Sequence, residues 1–461
     1  MSLAFGRAML TLGAVFPRNA GDRRATGSWA VGLVRGRRAK ARPERQGKDQ
    51  SELPTGRICP QLASEMERSL RRRRFLQTAG GLAAGPLIPW PAAAEEPPAP
   101  AQWLEELGHG FGIAVHDLSE ATLDVCAGAG FSFVRTDLFW SDVETKRRTF
   151  DWSRWDPFVA GLSARRLRPL FILGFNNPDV YGGRWMEGVT GYIEVKAFTA
   201  VAAAAATRYR DARPIWEIWN EPNRSNFWEP RENPVEYMAL ARATAEAIRR
   251  AEPDASIIGP ALGHKVGEEA LDLGFLQACL DDGLAGLVDA ISIHPYVDPE
   301  VVAPDYERVR ALVDATAGDR AVPVVSTEWG FATNTFVSDD LQADVLVRMF
   351  LTNLSLGIPL SIAYVAVDRT EEYVPEEERT YGIARADHSP KAAYQALREM
   401  NERLRGMRFH EALPMASGDV ALAFTGGGRR WVAAWTAGEP HEAEIAGRTV
   451  TLTSRPIYLD G

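Results

Sequence analysis

Short apolar runs alternate with amphipathic segments along the chain from about residue 110 to residue 407. Eight of these runs have the length of a strand, and their apolar residues are nearly continuous rather than alternating with polar ones. That pattern is typical of parallel strands buried on both faces. The eight runs are Phe111–Val115, Phe131–Arg135, Pro169–Leu173, Ile215–Trp219, Ser256–Pro260, Ala290–His294, Val322–Thr327 and Leu360–Val367.

The segments between these runs have helical periodicity and helix-start signals. Asn233-Pro234-Val235-Glu236 combines an N-cap residue, a proline at the first helical position and a capping-box glutamate. Eight strand-then-helix units in about 300 residues predict an α/β fold, a (β/α)8 TIM barrel over residues 108–407. No Gly-x-Gly-x-x-Gly follows the first run, which disfavours a dinucleotide-binding sheet.

The pattern changes after residue 407. Val420, Leu422 and Phe424 alternate with small residues, and glycines 426–428 predict a turn. Residues 408–461 are therefore expected to form a small C-terminal all-β domain. Trp431 and Trp435 are expected to pack in its core rather than to bind a carbohydrate.

The N-terminal segment is typical of an export signal. Residues 66–94 carry a basic region, an apolar region and the cleavage-site pattern Ala92-Ala93-Ala94, in that order. Arg72-Arg73-Arg74-Phe75-Leu76 matches the twin-arginine pattern, which predicts a periplasmic or extracellular protein. Residues 1–65 are expected to be a disordered or spurious extension, and residues 95–107 a linker.

Charge and composition exclude several classes of function. The chain has 461 residues and a net charge of −9, but residues 1–94 hold 17 Lys and Arg against 6 Asp and Glu. The remaining 367 residues therefore have a net charge of −20, which repels a phosphate backbone and argues against nucleic-acid binding. No membrane span is predicted, and the sequence gives no indication of oligomeric state.

The cysteines and histidines show no metal-ligand spacing. Cys59, Cys126 and Cys279 form neither a Cys-x-x-Cys pair nor a bridge framework, and the seven histidines include no His-x-x-x-His. We therefore expect no disulfide, metal or other cofactor.

Two of the eight runs end on a carboxylate that is followed at once by proline or glycine. The fourth run leads into Glu221-Pro222, and the seventh leads into Glu328-Trp329-Gly330. Active sites of such barrels lie at the carboxyl ends of the strands, so both carboxylates are predicted to share one rim. Glu217 lies about 13 Å lower along the fourth strand at the usual rise and is not expected to be the acid.

Trp219-Asn220-Glu221-Pro222 and Thr327-Glu328-Trp329-Gly330 resemble the fourth- and seventh-strand motifs of clan A glycoside hydrolases, over roughly residues 108–405. Tyr381-Gly382-Ile383 and Asp387-His388-Ser389-Pro390-Lys391 resemble family 39, the β-xylosidase and iduronidase-like enzymes and their biofilm-polysaccharide endoglycosidase relatives. The resemblance implies a retaining enzyme, with Glu221 as acid/base and Glu328 as nucleophile.

The same resemblance implies roles for four neighbouring residues. Asn220 would bind the sugar 2-hydroxyl, and Arg135 matches the clan's arginine near the nucleophile. His294 and Tyr296, in His294-Pro295-Tyr296, match its histidine and tyrosine, the latter hydrogen-bonded to the nucleophile. Each could instead be structural, Arg135 as the partner of a core carboxylate.

The protonation states follow from the chemistry. Arg135 and Tyr296 would keep Glu328 ionised, whereas the nearby negative charge of Glu328 would raise the pKa of Glu221 and keep it protonated.

Further substrate-binding candidates come from flat rings near the strand ends. Of Trp140, Trp185, Trp228 and Trp329, the preferred two are Trp140 and Trp329, with loop core as the alternative. His116, at the end of the first run, is a further candidate, with core packing as its alternative. The eighth run lacks the tryptophan usual in the clan, and Tyr364 is the candidate to replace it.

The sequence as a whole predicts a retaining hydrolase that cleaves β-glycosidic bonds of a poly- or oligosaccharide. A family 5 cellulase- or mannanase-like enzyme and a non-catalytic glycan-binding barrel are the alternatives. The sugar, the linkage and endo or exo action are left open.

Overall fold

The computed structural model describes residues 110–264, 271–372, 374–416 and 418–460. The predicted export signal and the segments on either side of it lie outside the described residues. Eight parallel strands form a closed barrel in which each pairs with its sequence neighbours and the eighth pairs with the first. They are β1 Gly110–Ala114, β2 Phe133–Phe139, β3 Arg168–Gly174, β4 Ile215–Ile218, β5 Ser256–Leu262, β6 Ala290–Ile293, β7 Val324–Ser326 and β8 Leu360–Ala363.

The barrel confirms the predicted fold class, and each apolar run contributes its strand. The main difference is in β2, which continues to Phe139, four residues beyond the predicted end. Arg135 is therefore inside the barrel in the middle of β2, rather than at its rim.

Helices surround the barrel. Asn233 caps the helix that follows β4 by accepting hydrogen bonds from the backbone N–H groups of Val235 and Glu236. The α-helices of the described residues are α1 Glu120–Gly128, α2 Trp140–Val143, α3 Trp155–Ala164, α4 Pro178–Tyr181, α5 Tyr192–Tyr209, α6 Pro234–Ala251, α7 Leu273–Asp281, α8 Leu284–Leu287, α9 Ala303–Thr316, α10 Asp339–Ser355 and α11 Ala392–Leu404. Short 3-10 helices occupy Arg210–Ala212, Pro299–Val301 and Glu376–Glu378.

The lower part of the barrel is filled by apolar side chains from all eight strands. Ala114, Phe133, Leu170, Ile215, Ile258, Ala290, Val325, Leu360 and Ile362 belong to one buried cluster. Arg135 and Glu217 follow Phe133 and Ile215 by two residues. Because side chains two apart point to the same face of a strand, this polar pair forms the next layer towards the carboxyl ends.

In the part of the chain that the structure describes, six strands follow the barrel. They are β9 Arg408–Ala412, β10 Asp419–Gly426, β11 Arg429–Thr436, β12 His441–Ile445, β13 Arg448–Leu452 and β14 Ile457–Asp460. One sheet has the order β14-β11-β10-β9, and β12 pairs with β13. Gly427 and Gly428 both have positive φ and make the two-residue turn between β10 and β11.

The C-terminal sheets contact the barrel domain through partly buried hydrogen bonds. Trp431 and Trp435 are both buried, and the Trp435 indole N–H donates to Glu300 Oε1 at 3.2 Å. Arg455 Nε donates to Asp344 Oδ1 of α10 at 2.7 Å.

The described residues include two of the three cysteines of the chain. Cys126 and Cys279 are buried free thiols. No helix in the described part of the chain has both the length and the apolar content that a bilayer crossing demands.

Candidate active site

Glu328 lies two residues after the end of β7 and accepts hydrogen bonds from two side chains. Arg135 Nη1 donates to its Oε2 at 2.6 Å, and the Tyr296 hydroxyl donates to its Oε1 at 2.7 Å. Both oxygens thus accept a hydrogen bond, one of them from a cation. The Glu328 side chain remains 16% exposed, which is enough for a ligand to approach.

Arg135 connects three acidic or amide groups, two of them from β4 and the turn after it and the third from the segment after β7. Its Nε donates to Glu217 Oε2 at 2.8 Å and its Nη2 donates to Asn220 Oδ1 at 2.7 Å. Glu217 is fully buried and also accepts from the Thr327 hydroxyl at 2.7 Å. Arg135 is thus an ion-pair partner of a core carboxylate and also a contact of Glu328. The two alternatives that the sequence left open for Arg135 are therefore compatible.

Asn220 is oriented by this contact. A guanidinium has no acceptor, so the atom of Asn220 that faces Arg135 must be the carbonyl oxygen. The amide nitrogen of Asn220 therefore has its two N–H groups left to donate elsewhere in the site.

Glu221 lies on a tight turn after β4. Trp219 and Glu221 have φ values of 68° and 46°, a region that side chains other than glycine adopt at a cost. The Glu221 backbone N–H donates to the Ala261 carbonyl at 3.1 Å, which ties the turn to β5. The strained turn swings the carboxylate off the line of the strand and buries it, with 3% of the residue exposed.

The carboxylate of Glu221 accepts from two side chains. Arg224 Nη1 lies 2.6 Å from its Oε2, and His294 Nδ1 lies 2.9 Å from its Oε1. Burial alone would raise the pKa of Glu221, but the Arg224 charge and the His294 hydrogen bond outweigh burial and lower it. The expectation that the charge of Glu328 would raise the pKa of Glu221 and keep it protonated is therefore wrong for the protein without substrate. The effect of Arg224 on Glu221 was not foreseen.

Glycine at position 263 makes room for this carboxylate. A Cβ there would meet Glu221 Cδ and Oε1, each at 2.5 Å, which is far inside van der Waals contact. Asn223 holds this segment in place, since its amide donates to the Gly263 carbonyl and its Oδ1 accepts from the Gly263 N–H.

Glu221, His294 and Glu328 come together at the rim. Carboxylate oxygens of the two glutamates and a ring nitrogen of His294 all lie within 4.8 Å of one another. These residue types could bind a metal ion, but the ring nitrogens are engaged: Nε2 lies 3.3 Å from Arg135 Nη2 and Nδ1 faces Glu221. A histidine in that arrangement has no lone pair to offer, so the group is a poor metal site.

His116, Tyr364 and Asp137 line another side of the site. His116 Nε2 lies 3.0 Å from the Tyr364 hydroxyl, and His116 Nδ1 lies 3.8 Å from Asp137 Oδ2. Burial, reinforced by nearby arginines, lowers the pKa of His116 and keeps the ring neutral. Burial raises the pKa of Asp137 to about 6; the positive charge of Arg135 opposes this rise and the negative charge of Glu328 adds to it.

Tyr364 follows β8 and packs edge-on against Tyr381, which in turn meets Tyr296. These three rings form an aromatic wall beside Glu328. The predicted substitute for the eighth-strand tryptophan therefore lies next to the other site residues.

Trp140 and Trp329 do not present their rings to the site, which corrects the expectation for them. Trp140 is 1% exposed, packs against Tyr181 and Phe198, and donates to Glu144 Oε2 at 2.7 Å. Trp329 is 2% exposed and packs against Phe350 of α10. Both rings lie between the barrel and its helices, so they belong to the core.

The residues that sequence reasoning missed act through the predicted ones. Arg224 contacts Glu221, Thr327 holds Glu217, and Gly263 clears space. The sequence did contain a signal for Arg224, because it is a charged residue only three positions after a candidate catalytic carboxylate. That spacing could have indicated its contact with Glu221.

Two sequence comparisons find similarity between this chain and glycoside hydrolases. The model of the family described as "Glycosyl hydrolases family 39" matches residues 208–321, a part that contains Glu221, His294 and Tyr296 but not Glu328. The chain is 26% identical over 189 residues to a β-xylosidase from Geobacillus stearothermophilus. That match covers 34% of this chain and 36% of the relative, so the chain spans about a third of that protein's length.

Solved structures show the same fold. A family 39 glycoside hydrolase from Bacteroides cellulosilyticus has a TM-score of 0.63 and 23% identity, covering 76% of this chain and 80% of that one. A monomeric β-xylosidase from Caulobacter crescentus has a TM-score of 0.55 and 20% identity, covering 73% and 78%. The chain therefore resembles family 39 glycoside hydrolases in fold and in a matched segment of sequence.

Proposed function

We propose that this protein is a retaining β-glycoside hydrolase acting on a poly- or oligosaccharide, with Glu328 as nucleophile and Glu221 as acid/base. The observation that carries the proposal is the pairing of these two carboxylates at the ends of β4 and β7, with oxygens within 4.8 Å. Retaining enzymes keep their carboxyl groups about 5–5.5 Å apart, whereas inverting enzymes leave about 6.5–9.5 Å for a water.

The first step forms a glycosyl ester. A Glu328 oxygen attacks the anomeric carbon, the glycosidic C–O bond breaks, and the leaving oxygen takes a proton from Glu221. In the second step Glu221 takes a proton from water, the water oxygen attacks the anomeric carbon, and Glu328 leaves as a carboxylate. The ion pair with Arg135 and the hydrogen bond from Tyr296 hold the Glu328 side chain in place for attack.

Asn220 supplies a contact to the substrate. Its carbonyl is turned towards Arg135, so its N–H groups are available to the sugar 2-hydroxyl, a contact that strengthens in the transition state. His116, Asp137 and Tyr364 add neutral and charged groups for the other hydroxyls.

A β-xyloside is the first substrate to test, because similar proteins are described as β-xylosidases. Aryl β-xyloside, glucoside, galactoside and mannoside, followed by xylan, cellulose and mannan with a reducing-end assay, separate this reading from the family 5 alternative. Product formation from a polymer without loss of terminal sugars would identify endo action.

The catalytic assignment is tested by azide rescue. Glu328→Ala is expected to lose hydrolysis of an activated aryl β-glycoside and, with azide, to form the α-glycosyl azide. Glu221→Ala is expected to form the β-glycosyl azide instead, since the nucleophile remains. The control is Glu307→Ala on the exposed face of α9, which should leave the rate unchanged.

Two outcomes would contradict the proposal. Full activity of Glu328→Ala would show that the nucleophile assignment is wrong. Wild-type protein that binds glycans but cleaves no substrate in the panel would favour the non-catalytic barrel.

Export by the twin-arginine route is part of the proposal and rests on residues 66–94 alone. Replacing Arg72, Arg73 and Arg74 with lysine is expected to keep the protein from leaving the cytoplasm. Unchanged export of that variant would contradict the route.

A further inference from the structure

Arg224 lies inside the site, three residues after Glu221. Its backbone N–H donates to the Glu221 carbonyl at 3.0 Å, so the turn brings both side chains to the same place. The two side chains form an ion pair at 2.6 Å and are only 2% and 3% exposed. A pair so well shielded from water is held much more strongly than a surface pair.

The guanidinium of Arg224 is positioned by its surroundings. It lies over the Phe227 ring at 5.5 Å, and the Phe227 backbone N–H donates to the Arg224 carbonyl. The Arg224 Nε atom is buried and has no hydrogen-bond partner among the described residues. The strongest contact of this cation is therefore the one to Glu221.

The hydrogen-bond donors around Glu221 indicate the protonation state of its carboxyl group. Arg135 Nη2 can only donate, so His294 Nε2 must accept, and the proton of the neutral ring is on Nδ1. His294 Nδ1–H thus donates to Glu221 Oε1, while Arg224 donates to Oε2. Both oxygens face N–H donors, which is the arrangement of a carboxylate rather than a carboxylic acid.

Among the residues that the structure describes, the charged or titratable groups beside the Glu221 carboxylate are Arg224, His294 and Glu328. Arg224 is on its own turn and His294 is on the segment after β6, and both favour the ionised form. Glu328, after β7, opposes it, and Arg135 of β2 compensates Glu328. The combined effect of these groups favours the ionised form, which agrees with the lowered pKa of Glu221.

We propose that Arg224 is a positioning residue that keeps Glu221 ionised in the free enzyme and thereby confines acid-assisted cleavage to acidic solution. This inference rests on the proposed function. Cleavage needs the protonated form of Glu221, whereas hydrolysis of the glycosyl ester needs the ionised form. Arg224 thus favours the second step, and substrates with poor leaving groups depend most on pH.

The test compares kcat/KM against pH for two aryl β-glycosides of the sugar that the panel identifies. A phenyl glycoside needs the acid, whereas a 2,4-dinitrophenyl glycoside has a leaving group that departs without a proton. For wild-type enzyme we expect the basic limb of the phenyl glycoside profile to lie below about pH 5, since Glu221 must be protonated. A basic limb at or above pH 6 would overturn the inference without any variant being made.

Arg224→Met removes the charge at similar size. We expect its basic limb for the phenyl glycoside to move at least one pH unit higher, because loss of the cation raises the pKa of Glu221. The dinitrophenyl profile should keep its shape. Equal movement of both profiles would indicate a structural role and contradict the inference, and so would an unmoved phenyl profile.

Two further variants act as controls. Arg224→Lys keeps the charge, so its limb should lie closer to that of wild type than to that of Arg224→Met; a limb as high as that of Arg224→Met would contradict a charge effect. Arg231→Met removes an exposed cation from the same loop and should move the limb by less than about 0.3 units. Loss of all activity in Glu328→Ala together with an unmoved limb in Arg224→Met would reject this inference and retain the proposed function.

Discussion

Tyr296 donates its phenolic hydrogen to Glu328 Oε1 at 2.7 Å, from the segment after β6 to the segment after β7. Burial, followed by the charge of Glu328, raises the pKa of Tyr296 well above that of a free phenol, so the hydroxyl stays a donor at any working pH. The hydrogen bond therefore acts on Glu328 throughout the reaction.

Tyr296→Phe should lower kcat about tenfold to a hundredfold, since a hydrogen bond to a charged group contributes about 1.5–3 kcal/mol. The ring still packs near Tyr381, so the fold should be kept. The matched control is Tyr306→Phe, which loses a buried hydrogen bond to Asn353 outside the site. Steady-state rates and thermal unfolding of both variants separate the effects, and equal loss of kcat in the two would contradict the role given to Tyr296.

Gly263→Ala should displace Glu221, because the added methyl group would overlap its carboxyl carbon at 2.5 Å. We expect kcat/KM for a phenyl glycoside to fall by about a hundredfold or more, as misplacement of a reacting group by about 1 Å can do. The control is Gly286→Ala in α8, where a Cβ would meet no atom within 4 Å. Wild-type kinetics in Gly263→Ala would show that the close approach of Gly263 and Glu221 is incorrect.

The raised pKa of Asp137 should make the wild-type protein less stable as pH rises, and the Asp137→Asn variant should not show this loss. The pKa of Asp137 is raised from 3.8 to about 6, chiefly by burial, while its side chain is 15% exposed. Between these pH values the unfolded chain releases the proton and the folded chain keeps it, so the wild type loses about 3 kcal/mol as pH rises from 4 to 6. Asp137→Asn avoids this loss and should be more stable than wild type above pH 6.

Thermal unfolding of Asp137→Asn and wild type at pH 3.5 and pH 7.5 measures this effect. The difference between the two proteins should grow with pH in favour of the variant, while KM rises if Asp137 binds a sugar hydroxyl. Asp319→Asn, an exposed change on the loop before β7, should show the same small difference at both pH values. A constant difference for Asp137→Asn would reject the raised pKa.

The sequence predicted the barrel because burial on both faces leaves a direct mark, a nearly continuous apolar run, on each strand. Once the strands were numbered, geometry alone brought Glu221 and Glu328 to one rim. Tyr296 and Arg135 followed from the resemblance, and the structure brings both to Glu328.

What the sequence could not predict depends on turns and side-chain direction. Arg224 reaches Glu221 because positive φ values at Trp219 and Glu221 turn the chain back after β4. Backbone φ values cannot be predicted from the pattern of hydrophobic residues, so this contact was not expected. The prediction that Trp140 binds substrate was wrong because a ring that follows a strand can point either into the site or under a helix. Since β2 continues to Phe139 and leads directly into α2, the ring of Trp140 is directed into the core.

Glu217, beneath the rim, has a consequence for the covalent stage of the proposed reaction. When Glu328 becomes an ester it loses its charge, so the buried guanidinium of Arg135 loses one of its two ion-pair partners. Glu217, at 2.8 Å and fully buried, remains as the anion that balances it. A carboxylate that never meets the sugar thus keeps Arg135 in an ion pair while the nucleophile is occupied.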